Sequence, residues 1–319
     1  MKLYPLKFNP ILKSQIWGGE QIIPYKGIES SEQQVGESWE LSGVEGDISV
    51  VANGELVGRN IKELIEEYGA ELIGKSNYKR FGGEFPLLIK FIDAKEDLSI
   101  QVHPNDELAA YRHNSKGKTE MWYVVDAAPE AKLRSGFERE VSPEEYVVSV
   151  ENNTITDVLK EYSVEKGDLF FLPAGRIHSI GAGCFIAEIQ QTSNITYRIY
   201  DFNRTDIEGN PRELHTEQAV GAIDYKVEAD YRTHYDRSIK DRVQEVVVCP
   251  YFTTSILDLT QSTEVDYSTI ESFVIVICVE GAAQINGVEI RQGETLLLPA
   301  TTTAAKISTK GCRLLTASV

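Results

Sequence analysis

The apolar positions of this chain fall in short runs rather than long stripes. Leu87-Leu-Ile-Lys-Phe-Ile92, Met121-Trp-Tyr-Val-Val125 and Cys184-Phe-Ile-Ala-Glu-Ile189 are rich in β-branched and aromatic side chains. Runs of that length and content predict buried strands. Leu98-Ser-Ile-Gln-Val-His103 continues the first of them. Gly36-Glu-Ser-Trp-Glu-Leu-Ser42 alternates in strand fashion, with Trp39 expected in the core, and Ile16-Trp17-Gly18-Gly19 reads as a turn. From Val246 the pattern is again β-rich. Ala283-Gln-Ile285 and Val288-Glu-Ile290 flank Asn286-Gly287, the dipeptide of a type I′ hairpin turn.

Two segments carry helix signals. Asn60 to Gly74 has an apolar stripe at Ile61, Leu64, Ile65, Tyr68, Leu72 and Ile73, with Asn60 as N-cap and Gly74 as the terminating glycine. Ser142-Pro143-Glu144-Glu145 has Ser at N-cap, Pro at N1 and Glu at N3, which predicts a helical insertion running to about Tyr162. The polar segment from Arg204 to Tyr225 contains a turn at Glu208-Gly209-Asn210-Pro211 and part of a helix through Ala219 and Ile223. Residues 226–243 are charged and read as a connector between domains.

The rest is organised around Gly167-Asp-Leu-Phe-Phe-Leu-Pro173-Ala-Gly175-Arg-Ile-His178. A glycine turn feeds a short buried strand, Pro and Gly break it, and His178 opens the next strand. Gly293-Glu-Thr-Leu-Leu-Leu-Pro299-Ala300 repeats the first part of this stretch at an offset of 126 residues, which places Ala304 opposite His178. The two halves are thus copies of one β-unit, and only the first keeps the histidine.

That histidine has company. Gln101 and His103 share one face of a strand, with Ser99 behind them. Lys118 and Glu120 share a face at the entry to the Met121 strand. If these strands line one β-unit, His103, Glu120 and His178 meet, and two imidazoles with one carboxylate are the ligand set of a catalytic zinc site. The same set can hold Fe(II). Gln101 can add a neutral oxygen. His113, His215 and His234 lie in polar segments and read as surface residues without partners.

Length and charge narrow the function. The 319 residues suggest about two domains, and 42% hydrophobic content supports a real core. A net charge of −17 argues against nucleic acid and anionic membranes as partners. An anionic substrate must therefore be held by a local cationic patch. Cys184, Cys249, Cys278 and Cys312 form no CxxC pair and read as reduced core residues. With no long apolar segment near the N-terminus, a cytoplasmic protein is expected.

On these motifs the sequence resembles the type I mannose-6-phosphate isomerases of the cupin superfamily, specifically the short bacterial class. The resemblance rests on Trp17-Gly18, Gly36-Glu-Ser-Trp-Glu40, Leu98–Pro104, Gly117-Lys-Thr-Glu-Met-Trp-Tyr123, the Gly167–His178 motif, Tyr197-Arg-Ile-Tyr-Asp201, Arg204, Gly209 and Arg212–His215. It implies a mostly β fold of two jelly-roll cupin barrels with a small helical insertion. A catalytic domain would span 1–240, and a cupin-like domain without metal 241–319. It implies one Zn²⁺ held by Gln101, His103, Glu120 and His178, with Arg198 as the catalytic arginine. Ser99 and Lys118 would lie in the substrate pocket, and Glu188 matches an acidic pocket residue.

The implied reaction moves a proton between C2 and C1 of a small sugar phosphate through a cis-enediol(ate). A Lewis acid can polarise O1 and O2. Arg198 can stabilise the enediolate or grip phosphate, and Lys118 adds positive charge. A general base is required, for which Glu188 and a water held by the metal are both candidates. The rival readings are another metal-dependent cupin enzyme and a non-catalytic sugar-phosphate-binding cupin.

Overall fold

The short apolar runs form three antiparallel sheets in a computed structural model, which describes residues 2–205 and 209–319. The fold is mostly β. A six-stranded sheet runs in the order Ile11–Gly19, Val35–Leu41, Leu87–Asp93, Cys184–Gln191, Glu120–Ala127 and Leu169–Leu172. A five-stranded sheet runs Tyr197–Tyr200, Ile100–Val102, His178–Ile180, Lys132–Phe137 and Leu159–Ser163. An eight-stranded sheet takes the C-terminal strands. Its edge strand, Leu6–Lys7, comes from the start of the chain and pairs with Leu296 and Leu297.

The six-stranded sheet is the middle layer, which explains why its strands read as continuous apolar runs: both faces are covered. Met121, Tyr123, Val125, Ala187 and Ile189 point to one side and pack with Ile275, Ile277 and Leu315 of the eight-stranded sheet. Trp122, Val124 and Ile186 point to the other and pack with Leu133 and Ile180 of the five-stranded sheet. The period of two puts Glu120 and Glu188 on this second side. Behind the five-stranded sheet, Ile100, Val102 and Tyr197 pack against Tyr146 and Val150 of a covering helix.

Both helix starts are as read. Asn60 and Glu63 form a reciprocal capping box, and the Ser142 hydroxyl accepts from the Glu145 amide with Pro143 in the first turn. Their ends differ from expectation. The first helix spans Ile61–Tyr68 and stops at Gly69, whose φ of 47° and ψ of −119° leave the helical region, before a short Ala70–Ile73 helix. The second ends at Glu151, where Asn153 takes a positive φ of 58°. Residues Leu159–Ser163 are then a strand, because Lys132–Phe137 offers them a pairing edge. Asn60→Ala removes the cap and is expected to cost about 1 kcal/mol, read as a lowered midpoint in urea at unchanged slope.

The connector at 226–243 is strapped down rather than free. Thr233 bonds the Leu169 carbonyl through its amide and the Phe171 amide through its hydroxyl, and Tyr231 is buried. The predicted Asn286-Gly287 turn is present, with φ of 48° and 88°. Of the predicted turn at 208–211, Glu208 lies outside the described residues. All four cysteines are free, with Cys249 only half-buried. Among the described residues no helix is long and apolar enough to cross a membrane.

The internal repeat holds in three dimensions. The Gly167 amide bonds Val124 and the Gly293 amide bonds Cys278, both at 2.8 Å. Leu172 sits opposite Glu120, and its counterpart Leu298 sits opposite Val274. His178 faces Gln101, and Ala304 faces Asp266. The second copy therefore has valine at the glutamate position as well as alanine at the histidine position. Ala304→His is expected to bind no metal above the wild-type stoichiometry, as measured by elemental analysis.

Candidate metal centre and cleft

The centre lies between the five- and six-stranded sheets and is built by strand register. Across the five-stranded sheet, Arg198 pairs with Gln101 and Gln101 with His178. Directly paired residues project to one face, so these three side chains stand in a row. Across the six-stranded sheet a second row reads Trp39, Lys90, Glu188 and Trp122. Glu120 stands at the end of its strand with Lys118 just before it.

His103, Glu120 and His178 converge, each 1% exposed or less, with their ligand atoms within 4.8 Å of one another. His178 Nε2 lies 3.3 Å from Glu120 Oε1, and His103 Nε2 3.6 Å from Oε2. Each histidine turns its Nδ1 to a backbone carbonyl, His103 to Ile195 at 2.9 Å and His178 to Arg176 at 2.8 Å. That contact makes Nδ1 the protonated nitrogen and leaves both Nε2 lone pairs facing inward. The Gln101 amide reaches the same spot, 3.3 Å from His178 Nε2. Lys118 Nζ lies 3.2 Å from His103 Nε2 and 2.9 Å from Glu120 Oε2.

The donor set fits a divalent cation. Both Glu120 oxygens are buried without a well-directed hydrogen bond, and Lys118 beside Oε2 offsets their charge only in part, a costly arrangement for a carboxylate. Burial pushes its pKa up to about 7, against the pull of Lys118. Burial drives the His178 imidazole down to about 3. Burial also takes His103 well below its ordinary value, with Lys118 adding to the effect. Both rings are thus neutral, the form in which imidazole binds metal. The three side chains together could hold one divalent metal ion.

Beside the centre opens a cleft of about 380 Å³ lined by Ser99, Gln101, Lys118, Glu188 and Arg198. Sequence-predicted ligands and pocket residues are thus brought together. Trp122 Nε1 donates to Glu188 at 2.8 Å, and Lys90 Nζ lies 3.2 Å from its other oxygen. Burial works against the Glu188 charge, yet Lys90, Lys118 and the Trp122 hydrogen bond keep its pKa well below the usual carboxylate range. Burial likewise opposes the Lys90 charge, and Glu37 and Glu188 outweigh it. Arg198 is half-buried, with NH1 on the Glu213 carbonyl at 3.0 Å.

Several residues go beyond the sequence reading or against it. Lys90 is a buried partner of Glu188. Its signal was a lone lysine inside the apolar run Leu87–Ile92. Trp39 is buried as expected, and it also lines the cleft and donates to Glu37 at 2.6 Å. The three outlying histidines are not without partners. His113 meets the Tyr197 hydroxyl, His234 meets Asp230, and His215 accepts from the Arg198 amide at 3.1 Å. His113 and His234 are exposed, as read, and His215 is half-buried.

A buried His–Glu–His centre between antiparallel sheets, beside a repeated glycine-to-proline turn motif, defines a metal-binding protein of the cupin class. Residues 6–133 match the family model described as phosphomannose isomerase type I, catalytic domain, and residues 242–317 that of the mannose-6-phosphate isomerase cupin domain. The chain is 34% identical over 305 residues to mannose-6-phosphate isomerase ManA of Bacillus subtilis, covering 94% of each. It is 33% identical over 300 residues to mannose-6-phosphate isomerase of Streptococcus mutans, covering 93% of each. The crystal structure of the Bacillus subtilis mannose 6-phosphate isomerase superposes with a TM-score of 0.87 at 31% identity, covering 99% of both chains. A phosphomannose isomerase variant from Salmonella typhimurium shares the fold, with a TM-score of 0.80 at 16% identity over 98% of this chain and 99% of its own. This chain belongs to the type I mannose-6-phosphate isomerase family.

Proposed function

We propose that the chain interconverts mannose 6-phosphate and fructose 6-phosphate, with Zn²⁺ as its metal and Gln101, His103, Glu120 and His178 as ligands. The observation that carries this reading is the buried His103–Glu120–His178 centre opening onto a cleft that holds Lys118, Glu188 and Arg198. When bound, the metal supplies a Lewis acid that polarises the sugar's O1 and O2.

The chain's own residues do the rest. Ser99 and Lys118 hold the sugar against the centre. Lys118 and Arg198 supply positive charge where an enediolate develops. Glu188 is the proposed carrier of the proton between C2 and C1. It is ionised, Trp122 and Lys90 fix its direction, and by lowering its proton affinity they favour passing the proton on over holding it. The two copies of the β-unit are proposed as jelly rolls spanning 1–240 and 241–319, the first catalytic and the second without metal. The acidic chain is proposed to act in the cytoplasm on a small molecule, with neither nucleic acid nor membrane as partner.

The test is a coupled assay for fructose 6-phosphate formed from mannose 6-phosphate. Turnover is expected to fall at least about 100-fold on chelation and to return with zinc, since a Lewis acid is worth several kcal/mol of barrier. A folded, zinc-loaded protein without turnover would move the reading to a sugar-phosphate-binding cupin.

A further inference from the structure

We infer that Arg212, held in place by Asp201, grips the phosphate of the substrate at the outer end of the cleft. This deepens the proposed function and rests on it.

The chain carries a net charge of −17, so a phosphate dianion meets a repelling field unless cations gather locally. Four cations line the cleft: Lys90, Lys118, Arg198 and Arg212. Lys90 is engaged by Glu188 and Glu37. Lys118 is engaged by Glu120 and His103. Arg198 stands in the row with Gln101 and His178, two strand spacings or about 10 Å from the histidine. Arg212 lies further out. Its loop is clasped to the free edge of the Arg198 strand by His215, which exchanges backbone and ring hydrogen bonds with Arg198. The row thus orders the cleft from metal to arginine to arginine, matching a substrate whose reacting carbons and phosphate lie at opposite ends.

The anchoring of Arg212 suits that task. Nε and one terminal nitrogen fork onto Asp201 at 2.7 and 3.1 Å, which fixes the guanidinium plane. Asp201 is 4% exposed and also takes Arg204 at 2.6 Å. Arg204 and Arg212 therefore share one buried carboxylate, and Arg198 stands near enough to feel its charge. The exposed Glu96 reaches Arg204 only at 4.0 Å, and the Glu213 charge also faces Arg198. The corner remains rich in cations, and it contains an unmet donor: among the described residues Arg198 Nε is buried with no hydrogen-bond partner. Clustered cations with an unmet donor are unfavourable alone and favourable around a dianion.

The experiment compares wild type with Arg212→Ala, Arg212→Lys and Asp201→Asn as zinc-loaded full chains. Arg212→Ala is expected to raise KM for mannose 6-phosphate about 10–100-fold, with kcat reduced less than about threefold. It should weaken competitive inhibition by inorganic phosphate by a similar factor and leave metal content unchanged. Arg212→Lys should recover part of the loss by keeping the charge without the fork, and Asp201→Asn should shift KM in the same direction by less. Unchanged KM and unchanged phosphate inhibition in Arg212→Ala would overturn the inference, as would a loss confined to kcat. If wild type binds mannose 6-phosphate by calorimetry without turning it over, the functional reading fails. The inference is then decided by whether Arg212→Ala loses that binding.

Discussion

His178→Ala loses bound metal and turnover together. Elemental analysis is expected to find less than about 0.1 equivalent of zinc, against about one in wild type, and kcat/KM should fall about 10³-fold or more. The reason lies in the burial of the centre. His103, Glu120 and His178 are almost wholly inaccessible, and Glu120 has no well-directed hydrogen bond of its own. Removing one imidazole leaves a single imidazole and a carboxylate already in tension with its surroundings, and water reaches the gap poorly. The variant should still fold, because Ser135 and Gln101 keep their pairing with position 178 through the backbone. Full metal content in a folded His178→Ala protein would show that the ligand set is wrong.

Arg198→Ala should give the opposite combination: metal retained, chemistry lost. kcat is expected to fall about 10²–10³-fold, the size of effect seen when one preorganised donor to a developing oxyanion is removed. Zinc content should stay near one, since the pairing of Arg198 with the proposed ligand Gln101 runs through the backbone, which alanine keeps. Arg198→Lys should recover little, because a point charge cannot reproduce the planar fork. Near-normal turnover in Arg198→Ala would refute the catalytic assignment.

Much of this was legible in the sequence because the chemistry sits on strands. A period of two fixes which residues share a face, so Gln101 with His103 and Lys118 with Glu120 follow from spacing alone. The Gly167–His178 stretch read correctly as strand, turn and strand because glycine and proline punctuate it. What spacing does not give is register between distant strands. The row of Trp39, Lys90, Glu188 and Trp122 comes from four separate strands, so the cleft-facing roles of Trp39 and Lys90 do not show in the spacing. Helix ends misled for a related reason. Gly69 and Asn153 stop their helices by backbone conformations that an apolar stripe does not report. His113 meets Tyr197 where its helix packs on that strand, and His215 meets Arg198 where its own segment returns to the same strand, both contacts between residues far apart in the chain.

The pairing of Leu6–Lys7 with Leu296 and Leu297 also sets an order of events during synthesis. The Leu6–Lys7 strand is completed by one made about 290 residues later. At about 5–20 residues added per second, its partner emerges on the order of 15–60 s later. Until then the sheet edge that Leu6 covers does not exist, and the side chain, fully buried in the end, has no home. The catalytic sheets have all their strands before that moment. The nascent chain can thus assemble its metal centre first and close the C-terminal sheet later, using a segment made about 290 residues earlier.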